Sequence, residues 1–165
     1  MAIYTKKGDQ GYAKTLSGEK VPKDDEIIQI TGLIDSLQSS LDLAKITTKN
    51  EDIKKIIDEL NEKLWQIAAE ISNQGLSDII KKPIKEEHIK KLEEQIDKYH
   101  PKNTYFIRFT KEEAARLNEA RVRTRTLESK LTKQLREEKL RPEVYKYLNR
   151  LSDLLYALAC FEECK

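Results

Sequence analysis

The chain has 165 residues, 38% of them hydrophobic and 36% charged, with only five glycines and four prolines. That length supports one core of ordinary size, and so few turn formers among so much Lys and Glu argue against an all-β sandwich or barrel. Lys and Arg number 31 against 29 Asp and Glu, a formal net charge of +2, which gives no general attraction for nucleic acid.

No run of 18 apolar residues is present, so no membrane span is expected. The opening Met1-Ala2-Ile3-Tyr4-Thr5-Lys6-Lys7 lacks the apolar centre of a secretory leader. Cys160 and Cys164 stand four apart without a second Cys pair or a nearby His. They suit neither a disulfide framework nor a zinc site, and predict ordinary burial in a reducing cytoplasm. The chain reads as a single unit over 1–165, with an arm over 1–24 and helices over 25–165.

The arm is basic and holds three of the five glycines, Gly8, Gly11 and Gly18; it reads as a loop. From Asp25 the pattern changes. Ile27, Ile30, Ile34, Leu37, Leu41 and Ala44 recur at helical spacing, one face of a first helix. Asn50 is a good N-cap for a second helix carrying Ile53, Ile56, Ile57, Leu60, Leu64, Ile67, Ala68 and Ile71. Lys85 to Tyr99 predicts a shorter third helix, with Ile89, Leu92 and Ile96 inward, stopped by His100-Pro101. Trp65 reads as a core residue and Tyr99 as a surface-packing one. Tyr105 to Phe109 is a brief apolar run, expected to be an ordered loop. Thr110 with Glu113 matches a capping box opening a fourth helix through Ala114, Leu117, Ala120, Thr124, Leu127, Leu131 and Leu135. Pro142 suits the first turn of a fifth helix with Val144, Leu148, Leu151, Leu155 and Leu158 inward. The expected fold is all-α, a five-helix bundle with ferritin-like up-down packing and a basic, glycine-containing N-terminal arm.

Three constellations can carry chemistry. Thr5-Lys6-Lys7-Gly8-Asp9-Gln10-Gly11 can offer backbone N–H and ammonium groups to a phosphate chain, though it is not a Walker A loop and by spacing alone equally describes a frayed basic arm. Arg121, Arg125 and Glu128 lie at i, i+4 and i+7 on one helix face. Charges so near an apolar stripe must be paired or bind something. Asn149, Arg150 and Asp153 reach one region from neighbouring turns of the fifth helix, or else are ordinary surface charge. His88 and His100 have no nucleophile pattern around them, so no hydrolase triad is indicated.

In chain order these blocks resemble the trimeric helical-bundle ATP:cob(I)alamin adenosyltransferases of the propanediol-utilisation type. Thr5 to Gly11 is similar to the family's Thr-x-x-Gly-Asp-x-Gly arm, and Gly18 to Asp25 to its Gly-Glu-Arg-Val-x-Lys-Asp-Asp. Gly32 to Ser39 resembles Gly-x-x-Asp-Glu-Leu-Asn-Ser, Ala120 to Glu128 resembles Ala-Arg-x-x-x-Arg-Arg-x-Glu, and Asn149 to Ala159 resembles Asn-Arg-Leu-Ser-Asp-x-x-Phe-x-x-Ala. The resemblance implies attack of cob(I)alamin on the 5′ carbon of ATP, with triphosphate leaving and adenosylcobalamin formed. It implies a homotrimer with ATP, usually with Mg2+, between subunits, a corrinoid as the second substrate and room for a reductase partner. Residue by residue, it implies Thr5, Lys6, Gly8, Asp9, Gly11, Lys23 and Asn149 as ATP contacts. Arg125 and Glu128 become the catalytic pair, with Glu128 also the Mg2+ ligand. Phe106 becomes the corrinoid-side aromatic, and Asp35 with Arg121 an ion pair across subunits. The chain departs from the family at Tyr12-Ala13, Ser36, Gln38, Asn118, Thr126 and Arg108-Phe109-Thr110-Lys111, most of all on the corrinoid side. The alternative expectation is a diverged, non-catalytic ATP- or adenosylcobalamin-binding sensor or carrier of the same fold; a purely structural helical bundle would not need the arm.

Overall fold

The computed structural model describes residues 4, 6–73, 82–100 and 107–165. Among them are two short strands, β1 (Tyr12–Lys14) and β2 (Lys20–Pro22), and five helices: α1 (Glu26–Thr47), α2 (Glu51–Ser72), α3 (Glu86–Tyr99), α4 (Glu112–Arg136) and α5 (Pro142–Cys164). The helical stripes read from sequence are the buried faces. Ile30, Ile34, Leu37, Leu41 and Ala44 of α1, Leu117, Leu127 and Leu131 of α4, and Val144, Leu148, Leu151, Leu155 and Leu158 of α5 join one apolar core with α2 and α3. Each fully buried Leu or Ile contributes about 1.5–3 kcal/mol.

Side-chain pairs between helices fix their directions. Lys45–Asp58 (2.5 Å) sets α1 antiparallel to α2, together with Gln38 Nε2 donating to Asn61 O (3.2 Å). Lys91–Glu59 and Lys98–Asp52 set α2 antiparallel to α3. Asn149–Glu128 and the Thr132–Tyr145 hydroxyl pair set α4 antiparallel to α5. Glu93–Arg150 and the edge-to-face Tyr99–Phe161 pair leave α3 parallel to α5. The result is the expected up-down alternation.

Helix starts follow local chemistry, with one exception. Asp25 Oδ1 accepts from Ile27 N (2.9 Å) and Asn50 Oδ1 from Asp52 N (3.0 Å), satisfying amides that a first turn leaves free. Pro142 opens α5, as expected. The exception is α4. The capping box expected from Thr110 and Glu113 does not form; Lys111 is the N-cap residue and gives no side-chain cap bond. Instead Glu163, from the last turn of α5, accepts from Thr110 N (3.0 Å), Lys111 N (3.1 Å) and Thr110 Oγ1 (2.5 Å).

Three further expectations are corrected. The arm is not a loop throughout: β1 and β2 pair antiparallel with Ala13 opposite Val21. They are joined through a turn in which Gly18 adopts φ +87° and its N–H bonds Thr15 O (3.0 Å). Trp65 and Tyr99 exchange roles. Trp65 is 69% exposed and Tyr99 is buried, because residue 65 lies one step off the Leu64–Ile67–Ile71 stripe while residue 99 continues the Ile89–Leu92–Ile96 stripe. Burial holds for Cys160, but Cys164 is exposed.

Candidate active site

Two groups of the expected site residues are assembled in the chain. The first lies where α4 meets α5. Glu128 Oε1 accepts from Asn149 Nδ2 at 2.8 Å, and Arg150 Nη1 donates to Asn149 Oδ1 at 2.8 Å and approaches Asp153 Oδ2 at 3.6 Å. Arg125, one turn from Glu128, is exposed and makes no hydrogen bond or ion pair among the described residues. Partial burial pushes the Asp153 carboxyl up from its ordinary value, with Glu128 adding to the rise, while Arg150 and Arg125 act in the other direction. An unpaired guanidinium beside two carboxylates and an amide is an arrangement that receives an anion bearing a cation.

Arg121 lies a further turn along α4. Its Nε donates to Asn118 Oδ1 (2.8 Å) and its guanidinium stands 5.8 Å from the Tyr156 ring centre. Arg121, Asn118, Tyr156, Arg108 and Phe109 line a cavity of about 280 Å3 at the α3–α4 end of the bundle. Among the described residues no carboxylate lines it. Asp35, on α1, is exposed and is not paired with Arg121 within the chain.

The second group is the arm. Lys6 takes φ +59° and Gly11 φ +79°, so the chain turns tightly between them, with Asp9 N bonded to Lys6 O (3.3 Å) and Gly11 N to Gly8 O (3.1 Å). Lys23 N then bonds Gly11 O (2.8 Å). A Cβ built on Gly8 would lie 3.0 Å from Lys23 Nζ, so the missing side chain lets that ammonium lie against the backbone. The arm thus brings Lys6, Gly8, Asp9, Gly11 and Lys23 together. None of these five is bonded to Arg125, Glu128 or Asn149 of the same chain. Thr5 and Phe106 lie outside the described residues. Sequence reasoning missed Glu93, which binds Arg150; no signal in α3 marks it apart from its neighbouring acids.

Among the described residues no group of three or more His, Cys, Asp or Glu forms a metal site, and no helix is long and apolar enough to cross a membrane.

Comparison with known proteins bears on the family and the fold. The chain is 33% identical to a corrinoid adenosyltransferase of Citrobacter freundii over 98% of its own length and 94% of that protein's. It is 31% identical to the corrinoid adenosyltransferase PduO of Salmonella typhimurium over 99% of its own length, but spans only 50% of that longer protein. Its fold matches a variant PduO-type ATP:corrinoid adenosyltransferase from Lactobacillus reuteri, complexed with cobalamin and ATP, with a TM-score of 0.88 at 25% identity, covering 99% of this chain and 94% of that one. A second variant from that organism, complexed with ATP, gives 0.87 at 26% identity, over 98% of this chain and 94% of that one. The family model described as cobalamin adenosyltransferase matches residues 3–162, spanning the arm, the α4–α5 cluster and the cavity beside it, and the chain belongs to that family.

Proposed function

We propose that the chain transfers the 5′-deoxyadenosyl group of ATP to the cobalt of a reduced corrinoid. The observation that carries this reading is Arg125, a guanidinium left unpaired one turn from the Glu128–Asn149 pair in a chain of this family. The cobalt(I) electron pair forms a bond to C5′ as the C5′–O bond breaks, and triphosphate leaves with that bond's electrons. Negative charge builds on the leaving oxygen, and fixed cations are most effective where charge develops. Arg125 supplies one, and Lys6 and Lys23 supply two more, with the turning backbone of Gly8 to Gly11 close by. Asn149 contacts the nucleotide.

Glu128 suits a magnesium ion that arrives on the triphosphate. Its Oε2 makes no hydrogen bond among the described residues, and magnesium commonly takes one or two protein carboxylates plus substrate phosphates. Held by Glu128, such an ion would offset triphosphate charge.

Among the described residues, Lys6, Gly8, Asp9, Gly11 and Lys23 of the arm are not bonded to Arg125, Glu128 or Asn149 within one chain. A site built between subunits of a homotrimer unites them, with Asp35 of one subunit free to pair Arg121 of the next. Phe106 and the cavity lined by Arg121 and Tyr156 belong to the corrinoid side.

Anaerobic assay with ATP, magnesium and chemically reduced cobalamin or cobinamide tests this. The expected product is the adenosylcorrinoid with equimolar triphosphate. Arg125→Ala is expected to lower kcat about 100-fold or more without altering the sedimenting species. ATP binding without triphosphate release would instead leave the sensor or carrier.

A further inference from the structure

One contributor to the α4–α5 cluster lies outside every sequence block discussed above. Glu93 of α3 accepts from Arg150 Nε at 2.9 Å. Arg150 Nη1 donates to Asn149 Oδ1 at 2.8 Å, and Asn149 Nδ2 donates to Glu128 Oε1 at 2.8 Å. Arg150 donates in both directions along this chain, and Asn149 carries the donation on to Glu128. A guanidinium can only donate, so the Asn149 atom that meets it must be the carbonyl oxygen. The amide's NH2 is thereby turned to Glu128, and an ionised carboxylate can only accept. Orientation at the Glu128 end is therefore set from the Glu93 end, across three helices.

Asp153 shows what Glu93 prevents. Its Oδ2 lies 3.6 Å from Arg150 Nη1. Without Glu93, Asp153 is the acidic neighbour left to the guanidinium, and rotation toward it withdraws Nη1 from Asn149. The amide is then free to flip and present its oxygen to Glu128, where two acceptors repel.

We propose that Glu93 is a positioning residue for adenosyl transfer: through Arg150 it locks the Asn149 amide with its NH2 on Glu128 Oε1, which keeps Glu128 Oε2 free for the magnesium triphosphate. The inference rests on the adenosyltransferase reading of the site and adds a residue to it. The Glu93 hydrogen bond is also the foremost cause holding Arg150 above its ordinary pKa. The side chains of Arg150 and Glu93 are 41% and 46% exposed. An ion pair so open to water contributes little to folding stability, so its loss acts on geometry rather than on melting.

The test compares wild type, Glu93→Ala and Glu93→Gln, each alone and combined with Asn149→Ala, in the full chain. Glu93→Ala is expected to lower kcat about tenfold, with corrinoid KM and the melting temperature unchanged. Glu93→Gln keeps an acceptor for Arg150 Nε and is expected to restore most of the loss. In the Asn149→Ala background, Glu93→Ala is expected to add nothing, because it acts only through that amide; calorimetric ATP affinity gives the same comparison at equilibrium. An active wild type matched by Glu93→Ala, or a Glu93→Ala loss that persists without Asn149, overturns the positioning role alone. A fall in melting temperature that tracks the fall in rate makes Glu93 merely structural and overturns it as well. A wild type with no turnover on any corrinoid overturns the activity reading, and this inference with it.

Discussion

Glu70 is 6% exposed and meets Arg141 through two bonds, Nε to Oε1 at 2.5 Å and Nη2 to Oε2 at 2.9 Å. Arg141 Nη2 also donates to Ile84 O (3.1 Å), so one guanidinium ties the ends of α2 and α5 to the segment entering α3. Arg141→Ala would leave the carboxylate buried and unpaired. The expected cost is about 2–3 kcal/mol, below that of a fully buried pair because Arg141 is partly exposed, and chemical denaturation measures it. Arg141→Lys is expected to recover little, since an ammonium cannot make the paired contact. This pair was invisible in sequence, 71 residues apart. Arg125 and Glu128 were legible because helical spacing alone puts them on one face. Glu93 was not, because its meaning depends on the angle at which α3 lies beside α5.

The start of α4 shows where local pattern loses to tertiary contact. Thr110 and Glu113 carry the right types at the right spacing, yet the Glu163 carboxylate takes the amides first. An ionised acceptor makes the stronger bond to backbone N–H, and it also complements the positive end of the helix dipole. Glu163→Ala is expected to cost about 1 kcal/mol, as loss of a cap does, read as a lowered denaturation midpoint. The bond to Thr110, with those to the two amides, pulls the Glu163 carboxyl below its ordinary value of 4.5. Its contribution is therefore present above that value and is lost as pH falls through the lowered one. A pH titration of the midpoint should show wild type and Glu163→Ala converging at the acid end. The hairpin was illegible for another reason: strands of three residues are too short for alternation to register.

Across the molecule, the helix order and the core stripes were legible because 3.6-residue periodicity over 14 to 25 residues is a strong signal. Spacing and periodicity could not supply the relation between the arm and the clamp of Arg125, Glu128 and Asn149, which only the family resemblance implied. If each site takes its arm from one subunit and its clamp from the next, two dead variants can complement each other. Lys23→Ala, defective in the arm, and Arg125→Ala, defective in the clamp, are each expected to be nearly inactive alone. Subunits exchanged at equal concentration are expected to regain about a quarter of wild-type turnover, the random fraction of junctions with both halves intact. A site contained within one chain regains none. Sedimentation of the wild type gives the independent check, with a trimer expected.

The Glu163 cap also has a consequence in time. A capping box is complete within four residues, but this cap waits for a carboxylate 53 residues downstream. Chain synthesis runs from the N-terminus, so the first turn of α4, beside the cavity that Arg121 lines, has no Glu163 cap until residue 163 has been made and α5 has docked. A nascent chain halted at residue 160 is then expected to exchange its Thr110 and Lys111 amide hydrogens freely, while the α1–α2 pair, whose caps are local, is already protected.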